Sequence, residues 1–502
     1  MPKAKASTAP EASSNAYKWF HTLQETNGQH LALILTYLFA ALVKWCIGLN
    51  GYSGAGVPPK FGDFEAQRHW LEITAHLPVR EWYRYDLKWW GLDYPPLTAY
   101  HSWFMGKLAH LINPKWVALD TSRGLEEQGL KVFMRATALL TEYLIYVPPL
   151  VLFVNRWVGR DWVRKNVLIL LILLQPALNI IDHGHFQFNS AMLGFALWSF
   201  LLFCGGNDVA GAVFFCFSLL YKQMALFYAI PVFCFLLGRC LKDRNGFALL
   251  LKLGAAVVVT FAISLLPFLG SLDDVVQIFR RVFPVERGLY EDKVANVWCA
   301  VNVVVKLRQL FDMQKLMFLS IAATLAAVLP SSIDVLLRPD KRRLIYAVLN
   351  GSLGFFLFSF QVHEKSILLP LLPATLLLLD EPLWSVWFNN VAMFSMFPLL
   401  KRDELVLPYF ITIALWNWLG FTKLRQTSIM LKALIAFSYA LIATIQILEF
   451  TTQPPANLPD IYTVANVELS TALFCLFALY FNYRQFTLPS SPRAPSEKTK
   501  TQ

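Results

Sequence analysis

Apolar runs of about 14–24 residues, each long enough to span a bilayer core, recur between Leu31 and Phe481 of this chain. A backbone immersed in lipid has no water to bond, so it must satisfy its own N–H and C=O groups, and continuous runs of this kind fold as helices. Strands of a membrane barrel alternate lipid-facing and lumen-facing residues and give no such runs. The predicted class is therefore an all-α polytopic membrane protein. Composition agrees: of 502 residues only 15% are charged, against about 25% in soluble domains.

Spans are predicted near 31–49, 132–154, 167–181, 190–204, 209–221, 224–238, 247–269, 314–337, 344–360, 366–380, 384–400, 404–420, 428–449 and 466–481. The run VANVWCAVNVVV at 294–305 is also apolar, and whether it crosses sets the sidedness of everything after it. The basic clusters at 155–166, 239–245, 338–343 and 422–427 share one face only if it does not cross. The positive-inside rule makes that face cytosolic. The reading is about fourteen helices with both termini cytosolic and 294–305 interfacial or re-entrant.

Four regions follow. Residues 1–30 are a cytosolic segment and the first span is an uncleaved anchor; 31–380 form a transmembrane module with a large loop at 50–131. Residues 381–482 are C-terminal helices, and 483–502 a disordered tail whose KTKTQ ending resembles a Lys-X-Lys-X-X retrieval signal. The net charge of +11 is dispersed between spans, which argues against nucleic acid. The seven Cys lack metal-ligand spacing and read as buried thiols. The NGS at 350–352 falls within a span and is not expected to be glycosylated.

This sidedness gathers 50–131, DHGHFQFN (182–189), YKQ (221–223), 270–313, QVHEK (361–365) and 451–463 on the opposite, lumenal face, which favours a site there. Asp63 follows Gly62 and is placed to N-cap a helix from Phe64, whose Ala66, Trp70, Ile73 and Leu77 make an apolar stripe for a membrane surface. A cap and a catalytic carboxylate are compatible where the helix end faces a cavity. In WWGLDYPPLTAYHS, Asp93 and Tyr94 precede a rigid Pro95–Pro96 turn; the rings serve equally as an interfacial belt or as sugar-stacking platforms. DHGHFQFN is a weak metal motif and reads as hydrogen-bonding groups for a polar substrate or for loop backbone. Arg281, Arg287, His363 and Lys365 either snorkel or bind an anion such as a lipid phosphate. Glu142 with nearby Arg135, inside a span, reads as a structural pair.

GDFEAQRHW, WWGLDYPPLTAYHS, DHGHFQFNS, YKQMAL, FPVERGLYEDKVANVWC and FLFSFQVHEKSILLPLLP, in this order, resemble the endoplasmic-reticulum glucosyltransferases that use dolichyl-phosphate-glucose. WGLDYPPLTAYHS is similar to the members that add the first glucose. The resemblance implies a GT-C fold with a large first lumenal loop of amphipathic helices. It implies inverting α-1,3 transfer of glucose from dolichyl-phosphate-glucose to a mannose-rich oligosaccharide on dolichyl diphosphate. It makes Asp63 the general base and Asp93 the second acidic group, and it places His363 near the donor phosphate. Lys365, Arg281 and Arg287 join His363 as expected phosphate ligands. Glu65, Arg68, His69, Tyr94, Asp182, His183, His185 and Gln187 are the expected sugar or acceptor contacts. No metal or other cofactor is expected, because the departing dolichyl phosphate is already a stable anion and asks only for cations. Competing readings are the second-glucose enzyme, a lipid or sugar transporter, and a non-catalytic scaffold.

Overall fold

The computed structural model describes residues 14–283, 293–420 and 427–489. Arg287, most of the 422–427 cluster and the KTKTQ ending lie outside the described residues. Within them the chain is helical, and eight helices are long and apolar enough to cross a membrane. They are Gln29–Gly48, Gln128–Val158, Trp162–Phe186, Gln223–Lys242, Gly246–Phe268, Met313–Leu337, Ile429–Thr451 and Ile461–Thr487. Asn189–Cys204, Asp208–Tyr221 and Val406–Gly420 are shorter apolar helices.

Several predicted spans fall on helices shorter than a membrane crossing. The run at 366–380 contains the helix Leu368–Leu376, and the run at 384–400 is divided between Pro382–Ser395 and Phe397–Arg402, with Pro398 in the first turn of the second. A nine-residue helix is only about 14 Å long. All nine residues of Leu368–Leu376 are buried, so their apolarity reflects packing inside protein, where broken helices are tolerated. The Gly246–Phe268 and Ile429–Thr451 helices instead bury about a fifth of their residues and form the periphery. The doubtful run contains an eight-residue helix, Val297–Val304, about 12 Å long and too short to cross. Its N-terminus is capped by Asn296, which accepts from Cys299 N–H.

The Gly62–His76 helix is not laid on a surface: twelve of its fifteen residues are buried. Ala66, Trp70 and Ile73 do pack together, against Trp82, Tyr83 and Leu92. The opposite side is buried against Pro96–Ile112 and the 113–122 segment. At Gly106 a Cβ would stand 2.4 Å from the Leu71 carbonyl oxygen, so these two helices cross at backbone contact.

The two faces of the bundle are recognisable. Met317 and Phe355 line a cavity at one end of their helices, whereas Leu337 and Lys341 lie 20 and 14 residues further along, about 30 and 21 Å away. At that far end Lys242 donates to the Leu337 carbonyl, Trp157 to Asp380 and Arg343 to the Leu488 carbonyl. The clusters at 155–166, 239–245 and 338–343 therefore share one face, as the sequence predicts. Among the cysteines, all free, Cys216 and Cys240 are buried but Cys46 is exposed, contrary to expectation; it faces outward from the first span. Asn350 is buried and donates to Gln485.

Candidate active site

The turn into the Gly62–His76 helix sets the position of Asp63. Phe61 and Gly62 are consecutive left-handed residues, with φ of 59° and 64°. A Cβ on Gly62 would lie 2.7 Å from the Ser53 carbonyl oxygen, so the position needs glycine. Ser53 is fixed in turn, its N–H donating to the His185 carbonyl and its Oγ accepting from Asp63 N–H. The cap position belongs to Phe61, not Asp63. Asp63 sits in the first helical turn, where the helix dipole favours a negative charge.

Three side chains converge on one oxygen of this carboxylate. Lys365 Nζ, Gln187 Nε2 and His185 Nε2 lie 2.5, 2.6 and 3.0 Å from Asp63 Oδ2. Among the described residues, no side chain bonds Asp63 Oδ1. The Asp63 side chain is 28% exposed and lines a cavity of about 500 Å³. Burial alone would raise its pKa, but Lys365 and His185 outweigh it and hold the carboxyl well below the usual range. Lys365 shows the converse: burial would lower its pKa and Asp63 raises it.

The Ile181–Phe186 segment is a π-helical turn, a deformation often found at functional sites. It aims its polar side chains apart. Asp182 accepts from the backbone N–H of Asn189 and Ser190, so it caps the Asn189–Cys204 helix. His183 lies 2.6 Å from Glu142, whose other oxygen accepts from Lys44 at 2.6 Å. His185 Nδ1 lies 2.5 Å from Asp403 Oδ2. Asp182, His183 and His185 are all buried and do not line the cavity, so their expected sugar contacts are corrected to structural roles around it. Arg135 is not the partner of Glu142; it donates to the Gly51 and Gly184 carbonyls.

Glu65, Arg68 and His69 are corrected likewise. Arg68 donates to Glu65, Glu72 and Ser122, and His69 Nδ1 lies 3.1 Å from Glu72. All are buried and none lines the cavity. Burial would raise the Glu72 pKa, but His69 and Arg68 bring it down to about 2. This is an ion network that holds the loop, not a sugar site.

The cavity does gather Asp63, Asp93, Tyr94, Gln187, Arg281, His363 and Lys365, seven predicted site residues drawn from four separated stretches. Arg281 also donates to the Gly91 and Leu92 carbonyls, fixing the backbone just before Asp93. Sequence reasoning missed Lys222. It is buried, donates to Gln187 and Asn189 at 2.7 Å, and stands 4.7 Å over the Tyr94 ring. Burial pushes it down to about 7, with Asp182 opposing. A charged residue in a three-residue loop between spans was its available signal. Part of the wall is apolar, with Leu226, Phe227, Met317, Phe355 and Phe360.

One end of the cavity thus offers a carboxylate oxygen as proton acceptor, its flanks carry Lys365, Lys222 and Arg281, and its other wall suits an apolar chain. Among the described residues no group of three or more His, Cys, Asp or Glu is arranged to hold a metal ion.

The comparisons with known proteins fit this chemistry. Residues 40–480 match the model of the ALG6, ALG8 glycosyltransferase family. A Schizosaccharomyces pombe relative, "Probable dolichyl pyrophosphate Man9GlcNAc2 alpha-1,3-glucosyltransferase", is 44% identical over 457 residues, 89% of each chain. The chicken (Gallus gallus) and Saccharomyces cerevisiae relatives, both named dolichyl pyrophosphate Man9GlcNAc2 alpha-1,3-glucosyltransferase, are 41% and 40% identical. The alignments cover 90% and 95% of this chain, and 96% and 95% of those relatives. Matched along nearly its whole membrane-embedded length, this chain belongs to the ALG6, ALG8 glycosyltransferase family of enzymes.

Proposed function

We propose that this enzyme transfers glucose from dolichyl-phosphate-glucose to the mannose-rich oligosaccharide carried on dolichyl diphosphate, adding the first α-1,3-linked glucose with inversion. The names of its relatives support the acceptor and the linkage. The observation that carries the mechanism is Asp63: Lys365, Gln187 and His185 hold its Oδ2 and none of the described side chains holds Oδ1. In this reading Oδ1 accepts the proton of the acceptor hydroxyl, whose oxygen bonds glucose C1 from the side opposite the phosphate. The C1–O bond to phosphate breaks, and dolichyl phosphate departs with the electron pair. Lys365, His363 and Arg281 face that leaving anion, and cations placed where charge develops stabilise the transition state. No resident metal is assigned. Asp93 and Tyr94, on the same cavity, position the sugar acceptor, and the Leu226, Phe227 and Phe355 wall takes the start of the isoprenoid chain.

The loops that build the site converge opposite the basic clusters, which supports a lumenal site, cytosolic termini and an endoplasmic-reticulum membrane. A GT-C architecture is proposed with it. The transporter reading drew on Glu142, which Lys44 and His183 fully engage away from the cavity.

The test is Asp63→Asn in purified protein, assayed with radiolabelled donor and non-glucosylated acceptor. Loss of transfer by a factor on the order of 10³ with a normal chromatographic profile is expected; near-normal transfer overturns the assignment. Offering a monoglucosylated acceptor separates the first-glucose from the second-glucose enzyme.

A further inference from the structure

The C-terminal helices take part in the site through one residue. Asp403 lies in the turn between Phe397–Arg402 and Val406–Gly420, far in sequence from every other group around the cavity. Its side chain is 2% exposed. Its Oδ2 meets His185 Nδ1 at 2.5 Å, and His185 Nε2 meets Asp63 Oδ2 at 3.0 Å. A carboxylate, an imidazole and a second carboxylate therefore stand in one hydrogen-bonded row, with only the last member reaching the cavity.

The surroundings hold the row still. The π-helical turn that bears His185 is pinned on both sides, by Asp182 on the Asn189–Cys204 helix and by His183 on Glu142. Arg135 donates to the Gly184 carbonyl and stands over the Phe186 ring. Asp403 itself closes on the first loop, where its carbonyl oxygen would be 2.5 Å from a Cβ on Gly51. Such packing fixes the imidazole plane, and the partner on one ring nitrogen decides what the other nitrogen presents.

We propose that Asp403 and His185 are positioning residues for glucose transfer: Asp403 orients the His185 imidazole, whose Nε2 fixes the Asp63 carboxylate so that Oδ1 faces the acceptor hydroxyl. This rests on Asp63 being the base. Held at Nδ1 by Asp403, the ring keeps Nε2 against both Asp63 Oδ2 and Lys365 Nζ. The groups facing this row are Lys365, which contacts both Asp63 and His185 Nε2, with Glu364 behind it, and Lys222 and Asp93 across the cavity. Lys365 remains in every variant below, so any change read there comes from the row itself.

The experiment compares Asp403→Asn, Asp403→Glu, His185→Gln and Asp63→Asn, each purified as full chain, by kcat, KM for donor and acceptor, and the pH profile of kcat. Asp403→Asn is expected to lower kcat about 10- to 100-fold with both KM values within about twofold. Its acid limb should move to higher pH, because a His185 ring no longer held by Asp403 contributes less to keeping the Asp63 carboxyl low. Asp403→Glu should recover most of the rate. His185→Gln, which keeps an N–H within reach of Asp63 but loses the ring that Asp403 orients, should match Asp403→Asn, and a variant carrying both Asp403→Asn and His185→Gln should be no worse than either single one. If Asp403→Asn does not purify intact, His185→Gln carries the same reading alone. Wild-type kcat and profile in His185→Gln or Asp403→Asn, beside an inactive Asp63→Asn, overturns the positioning role and leaves the base intact. A loss confined to KM, or an unmoved acid limb, overturns it as well. An active Asp63→Asn overturns the base assignment instead.

Discussion

Lys365 Nζ stands 2.5 Å from Asp63 Oδ2 across 302 positions of sequence, so the first loop and the loop after the Lys341–Phe358 helix meet at one charge pair. A partly buried pair of this kind holds more than surface pairs do, because water screens it less. In the proposed mechanism it also ties the two halves of the chemistry together, the carboxylate serving the attacking hydroxyl and the ammonium the departing phosphate.

Removing Lys365 separates those two effects. In Lys365→Met the upward push of burial on Asp63 is opposed only by His185 and the Gln187 bond, so the carboxyl pKa rises. The acid limb of the kcat–pH profile should move to higher pH, since the base protonates sooner as pH falls. At the pH optimum, kcat should fall on the order of 10²-fold from loss of a cation at the leaving group. Steady-state rates from pH 8 down through the acid range below pH 4, where the wild-type limb lies, check both; a reduced rate with an unmoved acid limb contradicts the pairing.

Arg68 distinguishes a folding network from a sugar site. Its guanidinium bridges the buried Glu65 and Glu72, and leaving two buried carboxylates without it costs about 3–5 kcal/mol. Arg68→Ala should lower Tm sharply while the remaining folded enzyme keeps its acceptor KM. Glu72 adds a pH signature. Its folded pKa of about 2 lies below the ordinary 4.5, so its stabilisation is complete above about pH 4.5 and disappears as pH falls toward 2. Glu72→Gln lacks that contribution at every pH, so its Tm should be lower near neutrality and fall less steeply in acid.

Both the successes and the errors in reading this sequence have physical causes. Loop parity puts the segments of Asp63, Gln187 and Lys365 on one face and the family resemblance singles out Asp63; the three side chains meet at one oxygen. Parity cannot say which way a side chain points. Arg68 and His69 look the same in sequence whether they bind sugar or bind Glu72, and the buried row behind Asp63 is invisible because Asp403 lies 218 residues from His185. At 366–400 the predicted spans fall on short segments packed inside protein, which are as apolar in sequence as a lipid-facing helix.

The apolar wall predicts how the donor's lipid is read. Phe227 and Phe355 stack with ring centroids 5.2 Å apart, and both line the cavity that holds Asp63. Burial of an aromatic ring contributes about 1.5–3 kcal/mol, so Phe355→Ala should raise the donor KM about tenfold or more. A synthetic donor whose lipid is too short to reach this wall should lose no affinity. An equal rise for both donors would mean that Phe355 supports the fold instead of the chain.

Gly62 tests whether the geometry of the turn, rather than its mere presence, sets the rate. Gly62 and Gly56 share nearly the same backbone, φ 64° and 65°, yet a Cβ on Gly62 runs into Ser53 and one on Gly56 meets nothing within 4 Å. Alanine at either position incurs the left-handed penalty of about 1–2 kcal/mol. Gly56→Ala should show that penalty as a modest loss of Tm with near-normal kcat. Gly62→Ala must also push Ser53 away, and Ser53 Oγ accepts from the Asp63 amide, so the carboxylate moves with it. A displacement of about 1 Å costs roughly 10²-fold in rate. Gly62→Ala should therefore lose far more kcat than its Tm change explains, and equal kcat in the two variants would show that Asp63 is held by its side-chain partners alone.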